Sequence, residues 1–263
     1  MWAETVAVTG AGSGIGRAVL LAAAARGARV AALDVDSSAA SAAAASALEA
    51  GAGGAVAVAC DVSSETSVTA AFDAVSAAVG DPGAVFANAG VEVNAPVHSF
   101  AVPDWERVVA VNLVGVFLTC REALRRLVAA GRGGSLVCTS SPAAFVGHAG
   151  GGNSAYAASK GGVSAFVRSA ALDYAPHGIR VNAVVPGATD TAMLTTGVPA
   201  AERADAVARL RAAAATQVPL GRLGRPDEVA AAVLWLLSDE SSYVTGSHLV
   251  CDGGLMAKSA NDF

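Results

Sequence analysis

The chain has 263 residues, 54% of them hydrophobic, and a formal net charge of −5 at neutral pH. That length suits one α/β domain with a large core, and the acidic balance gives no electrostatic footprint for nucleic acid or an anionic membrane. No stretch has the unbroken apolarity of a membrane span, and Met1 to Glu4 lead at once into a strand, leaving no room for a signal helix; the expected location is the cytoplasm and the expected partner a small molecule.

Thr5 to Thr9 reads as a short buried strand. It runs into Gly10-Ala11-Gly12-Ser13-Gly14-Ile15-Gly16 and then an apolar helix from Arg17 to Arg26. Strand, glycine turn and helix in that order suit a pyrophosphate: glycines let the backbone approach it, and the helix N-terminus offers free N–H groups with a partial positive charge. A second apolar strand, Arg29 to Leu33, ends at Asp34, at about the interval after Gly16 expected of an acid that binds the adenosine ribose. A carboxylate there accepts hydrogen bonds from ribose hydroxyls and repels a 2′-phosphate. Position 13 is serine and no arginine flanks Asp34, so the reading is NAD rather than NADP. Asp36 reads as a solvated turn residue.

Ser37 to Ala50 is alanine-rich and helical by propensity, stopped by Gly51 to Gly54. The strand Ala55 to Cys60 ends in Asp61-Val62; Asp61 is a candidate either to contact a ligand or to cap the helix from Glu65 to Val79. A fourth strand, Ala84 to Ala87, opens on Asn88-Ala89-Gly90, small residues against which a cofactor can lie. Trp105 to Gly131 is long enough for one helix or two, and Asn112 interrupts the apolar run Val108 to Val114, where a polar side chain calls for a partner. Arg121, Glu122, Arg125 and Arg126 read as an exposed helical face.

The strand Ser135 to Thr139 delivers Ser140-Ser141 at its carboxyl end, where open α/β sheets bind ligands. A glycine segment, His148 to Asn153, follows; His148 and Asn153 are either substrate contacts or solvent-facing loop residues. Tyr156 and Lys160 then share one face of a helix. A free tyrosine has a pKa of roughly 10, and a nearby ammonium favours the phenolate. The strand Arg180 to Val185 opens on Pro186-Gly187-Ala188-Thr189-Asp190-Thr191. Ala192 to Gln217 is an interrupted helical stretch in which Met193, Leu194 and Val198 are candidate pocket residues. A helix starts at Pro226, and a last strand, His248 to Cys251, ends at Asp252-Gly253-Gly254. Cys60, Cys120, Cys138 and Cys251 are widely spaced and read as free buried thiols, with neither a metal nor a disulfide indicated. Alternating strands and helices imply parallel β-α-β crossovers.

Thr9 to Gly16, Asn88-Ala89-Gly90, Asn112, Ser141, Tyr156-x-x-x-Lys160 and Pro186-Gly187 together resemble the short-chain dehydrogenase/reductase family over nearly the whole chain. The resemblance implies one doubly wound Rossmann domain over residues 1–263, with a seven-stranded parallel sheet in the order 3-2-1-4-5-6-7, and a homotetramer. It implies that Tyr156 is the general acid/base for interconverting a secondary alcohol and a ketone. Lys160 would lower the phenol pKa and bind the nicotinamide ribose, Ser141 would polarise the carbonyl, and Asn112 would hold a water linking Lys160 to solvent. For NAD it implies contacts from Gly10, Ser13, Gly14, Ile15 and Gly16, from Asp34 and Val35, and from Asp61 and Val62. Asn88, Ala89, Gly90, Tyr156, Lys160, Pro186, Gly187, Thr189 and Thr191 would complete them.

Residues 188–217 would form a mobile lid. Two other readings stand beside this one. A 3-oxoacyl-carrier-protein-type ketoreductase would use NADPH, against which Ser13 and Asp34 speak. A catalytically silent NAD-binding protein is the second, against which the intact set of Asn112, Ser141, Tyr156 and Lys160 speaks. The chain departs from the family pattern in a longer interval between Ser141 and Tyr156, its excess falling around residues 148–153. The pocket candidates Val91, Glu92, Pro142, Ala143, Ala144, Phe145 and Met193 are mostly apolar, and Glu92 is suited to reading a hydroxyl or an amine.

Overall fold

Short apolar runs become seven strands because both faces of the sheet are covered, so each run is buried on both sides rather than alternately wet and dry. The computed structural model describes residues 4–148 and 150–258; the lead of Met1 to Ala3 into the first strand, and Ala149 of the glycine segment, lie outside the described residues. The strands are β1 (Thr5–Thr9), β2 (Arg29–Asp34), β3 (Gly54–Ala59), β4 (Ala84–Ala87), β5 (Gly134–Thr139), β6 (Ile179–Pro186) and β7 (His248–Cys251). Their order is β3-β2-β1-β4-β5-β6-β7, and every pairing is parallel.

Strand periodicity divides the core in two. Val6, Val8, Phe86 and Val137 face α1 (Gly14–Ala24), α2 (Ser37–Glu49) and α8 (Pro226–Leu237). Ala7, Val85, Leu136 and Cys138 face α3 (Glu65–Val79), α5 (Gly115–Ala129) and α6 (Ser154–Tyr174). The sheet is thus a doubly wound Rossmann-like layer. Its chain order reverses between β1 and β4, and the crevice beyond the carboxyl ends of these strands is where such sheets bind ligands.

Several local expectations change. Asp36 is the N-cap of α2, accepting from the N–H groups of Ser38 and Ala39. Ser64, not Asp61, caps α3; Asp61 instead accepts from the backbone and hydroxyl of Ser63, which ties it into its own turn. The stretch expected as one helix or two starts earlier, as α4 (Val102–Val109), and passes through a π-helical turn, Ala110–Val114, into α5. The arginine and glutamate run is exposed only in part: Arg125 faces outward, whereas Glu122 is buried, held by Arg125 at 2.7 Å and Arg126 at 2.9 Å. Arg126 in turn reaches across to Asp73 and Asp81 on the α3 side. A buried carboxylate is tolerable there because two guanidiniums neutralise it, a pairing that sequence periodicity does not reveal.

Among the four free cysteines Cys251 is only half-buried, since β7 is an edge strand. Residues 192–217 form two short 3₁₀ turns and then α7 (Arg203–Gln217). Ala214, Val218 and Leu223, with Leu194 against them, make a small apolar cluster separate from the two main cores. Among the described residues no helix is long and apolar enough to cross a membrane.

Candidate active site

The turn after β1 adopts conformations that only glycine takes readily: φ is +65° at Gly10 and +52° at Gly14. A Cβ on Gly10 would sit 3.0 Å from the Cα of Ala89. Gly16 serves a different end, for its Cβ would lie 2.1 Å from the Gly10 carbonyl oxygen, so the turn folds directly onto α1 there. Ser13, at the N-cap of α1, makes no side-chain capping bond, and the first turn holds no acid. The leading N–H groups and their partial positive charge are therefore left for an anionic ligand.

Asp34 is fixed by two backbone donors, Gly12 N–H to Oδ2 at 2.8 Å and Asp36 N–H to Oδ1 at 3.0 Å. Each carboxylate oxygen keeps a further lone pair for another donor. Val35, beside it, is exposed. Asn88 ties the carboxyl ends of three strands together: its Nδ2 donates to the Thr9 carbonyl at 3.1 Å and its Oδ1 accepts from the Thr139 hydroxyl at 3.1 Å.

Asn112 is fully buried in the π-turn, and its side chain pairs with both backbone groups of Val91. Oδ1 accepts from Val91 N–H at 2.8 Å, and Nδ2 donates to the Val91 carbonyl at 2.9 Å and to Ser159 at 3.2 Å. Ser140 bonds to the Ser164 hydroxyl at 2.7 Å, which anchors the end of β5 to α6. Ser141 is buried and accepts from Ala143 N–H at 3.2 Å.

Lys160 is buried, its Nζ donating to the Thr139 carbonyl at 2.8 Å and lying 5.6 Å from the centre of the Tyr156 ring. Burial pushes the Tyr156 phenol up to about 12; hydrogen bonding from Ser141 acts the other way, and the charge of Glu92 adds to the rise. Burial likewise pushes Lys160 down to about 8, against the opposing influence of Cys138 and Glu92. Burial is thus the largest influence on both groups in the protein alone.

These residues enclose one cleft of about 610 Å³. From the glycine turn and β2 it is lined by Gly10, Ser13, Gly14, Ile15, Asp34 and Val35. Asp61, Val62, Asn88, Ala89 and Gly90 line it from beyond β3 and β4. Beyond β5 and β6, Ser141, Tyr156, Lys160, Pro186, Gly187, Thr189 and Thr191 do so. Of the predicted site residues only Gly16 and Asn112 stand behind the wall rather than in it.

Val91, Glu92, Pro142, His148, Met193 and Leu194 also reach the cleft. Ala143, Ala144, Phe145, Asn153 and Val198 do not, and Asn153 is buried at the N-cap of α6 rather than solvent-facing. Arg107 and Leu255 were not anticipated. Arg107 lies one helical turn before Val111, which lines the same cleft, and that spacing could have signalled it. Leu255 arrives from the turn after β7, for which the sequence carries no signal.

A family model described as enoyl-(acyl carrier protein) reductase matches residues 10–256. A crystal structure of a short-chain type dehydrogenase/reductase from Mycobacterium marinum superposes with a TM-score of 0.89 at 32% identity, over 97% of this chain and 96% of that one. The chain belongs to the short-chain dehydrogenase/reductase family. Among the relatives of this short-chain dehydrogenase/reductase is cis-4-hydroxycyclohexanecarboxylate dehydrogenase of Sinomonas cyclohexanicum, 46% identical over 172 residues. That match covers 65% of this chain and 64% of the relative, so it spans less than two thirds of the relative's length. The (3R)-3-hydroxyacyl-CoA dehydrogenase of Rattus norvegicus is 37% identical over 255 residues, 94% of each chain.

Proposed function

We propose that this protein is an NAD-dependent dehydrogenase that interconverts a secondary alcohol and a ketone. The observation that carries the reading is one continuous cleft with Asp34 and an uncapped helix N-terminus at its β1–β2 side and Ser141, Tyr156 and Lys160 at its β5–α6 side. The residues suit NAD: the bare glycine turn admits a pyrophosphate, and the fixed Asp34 carboxylate has acceptors for two ribose hydroxyls and repels a 2′-phosphate. Val35 would flank that ribose, Asp61 and Val62 the adenine, and Asn88 to Gly90 the middle of the cofactor. Gly16 would act indirectly, by holding the turn. Pro186, Gly187, Thr189 and Thr191 would hold the nicotinamide.

Bound NAD supplies the hydride acceptor or donor, and in its oxidised form a positive charge that favours phenolate. Tyr156 exchanges the proton of the substrate oxygen, acting as acid towards a ketone and base towards an alcohol. A phenol pushed up to about 12 keeps its proton at neutral pH, the state that donates to a ketone. Ser141 donates to the same oxygen and polarises it. Lys160, with one donor fixed on Thr139, has others for the nicotinamide ribose. Asn112 holds the loop at Val91 and the π-turn in which a water serving Lys160 would sit. The names of the two relatives, both dehydrogenases of hydroxylated compounds, support the reaction class.

The reading extends to residues 188–217 as a lid, supported by the separate apolar cluster under α7. It extends to a location in the cytoplasm and to a homotetramer, the latter supported by exposed apolar residues such as Phe117 on α5, Leu172 on α6 and Tyr243 before β7. Sedimentation showing only monomer would remove the tetramer. The function itself is tested with a panel of secondary alcohols and ketones, NAD and NADP side by side, read by absorbance of the reduced nicotinamide. Turnover with NAD is expected. A clear preference for NADP would overturn the role of Asp34, and tight NAD binding with no turnover would make the protein a silent binder.

A further inference from the structure

Glu92 is the one acid among the cleft residues beyond β4 whose charge reaches both Tyr156 and Lys160. It stands two residues past Gly90, and it is held from both sides. Before it, both backbone groups of Val91 are clamped by Asn112; after it, Asn94 Nδ2 donates to Oε1 at 3.2 Å. It is half-buried, and among the described residues no ion pair involves it. The neighbouring amine, Lys160, is turned to the Thr139 carbonyl instead. The same cleft is walled by the apolar Val91, Pro142, Met193, Leu194 and Leu255, with Arg107 and His148 as further polar groups.

We propose that Glu92 accepts a hydrogen bond from a second hydroxyl of the substrate, so that the enzyme selects diols and hydroxyketones over alcohols with a single oxygen and over hydroxy acids. The proposal rests on the dehydrogenase reading above. A hydroxyl donating to a carboxylate makes a charge-assisted bond, about twice as strong as a neutral one. A substrate without that hydroxyl leaves the half-buried carboxylate with only the Asn94 donor, and sites built to bond a hydroxyl discriminate against such analogues. A substrate carboxylate placed there meets like charge. An ammonium is disfavoured in its turn, because Lys160 and oxidised nicotinamide already bring positive charge to this end. The second hydroxyl would be unchanged by turnover: bound NAD would supply the hydride acceptor, the phenolate form of Tyr156 would take the proton of the reacting hydroxyl, and the other oxygen would stay on Glu92.

The test measures kcat/KM for cyclohexanol, the cyclohexanediols and the hydroxycyclohexanecarboxylates in wild type, Glu92→Gln and Glu92→Leu, each expressed as a ratio to cyclohexanol in the same variant. Thermal midpoints and the NAD dissociation constant are recorded alongside. In wild type the best diol should exceed cyclohexanol by about tenfold or more. That ratio should fall towards one in Glu92→Leu, chiefly through KM, and part of the way in Glu92→Gln, which keeps a neutral acceptor and the Asn94 bond. The hydroxy-acid ratio should rise in both variants. Diols no better than cyclohexanol in wild type, or a diol ratio that survives both substitutions, would overturn the proposal while leaving the dehydrogenase reading intact. Failure of every alcohol in the panel, with NAD still bound, would overturn both.

Discussion

Lys160 Nζ lies 5.6 Å from the centre of the Tyr156 ring and is held by the Thr139 carbonyl at 2.8 Å, so the amine is pinned beneath the phenol by the end of β5. Burying both groups moves their proton affinities in opposite directions, the phenol up to about 12 and the amine down to about 8. Positioning this pair therefore costs the fold something, and the cost depends on pH.

The sign follows from the amine. Its folded pKa of about 8 lies below the ordinary 10.5, so between these values the unfolded chain binds more protons and stability rises with pH. Lys160→Met lacks that rise. The unfolding free energy of wild type minus that of Lys160→Met should therefore increase between about pH 8 and about pH 10, by at most about 1.4 kcal/mol per unit. Above about pH 10 the raised phenol of Tyr156 acts oppositely in both proteins and cancels in the difference. Denaturant titrations at several pH values check this; parallel stability curves would contradict it.

Asp34→Ala removes the acceptor of the Gly12 and Asp36 N–H groups as well as the ribose acceptor. We expect a stability loss of about 1–3 kcal/mol and kcat/KM with NAD reduced roughly tenfold to a hundredfold, with the NADP to NAD ratio rising. Steady-state kinetics with both cofactors decide it. An unchanged ratio would detach Asp34 from cofactor choice.

Asn112→Ala should unpair the Val91 N–H and carbonyl and remove a donor to the Ser159 hydroxyl oxygen. A destabilisation of about 2–4 kcal/mol is expected from the loss of these buried bonds. If Val91 is the hinge that sets Glu92, the variant should also blur substrate preference. Unaltered stability by calorimetry would show that the clamp is not needed.

The sequence made the frame legible because strand, glycine turn and acid stand at intervals dictated by backbone geometry: Asp34 was placed by its distance from Gly16, and Tyr156 and Lys160 by one helical turn. Contacts set by tertiary approach were not legible. Nothing local says that Glu122 is buried under Arg126, or that Ser64 rather than Asp61 caps α3. The polar break at Asn112 was visible, but its resolution as a π-turn clamped on Val91 needed the neighbouring loop. Electrostatics was least accessible, since burial, which the sequence does not display, moves Tyr156 and Lys160 most.

The central claim is that Tyr156 moves the substrate proton in a protein that binds NAD independently of that phenol. Its most direct test is Tyr156→Phe, assayed for NAD reduction with the best alcohol of the panel and, in parallel, for NAD binding by calorimetric titration. The account predicts kcat lowered by about 10²–10⁴ with the NAD dissociation constant within about twofold of wild type. Turnover persisting near the wild-type rate in Tyr156→Phe would contradict it.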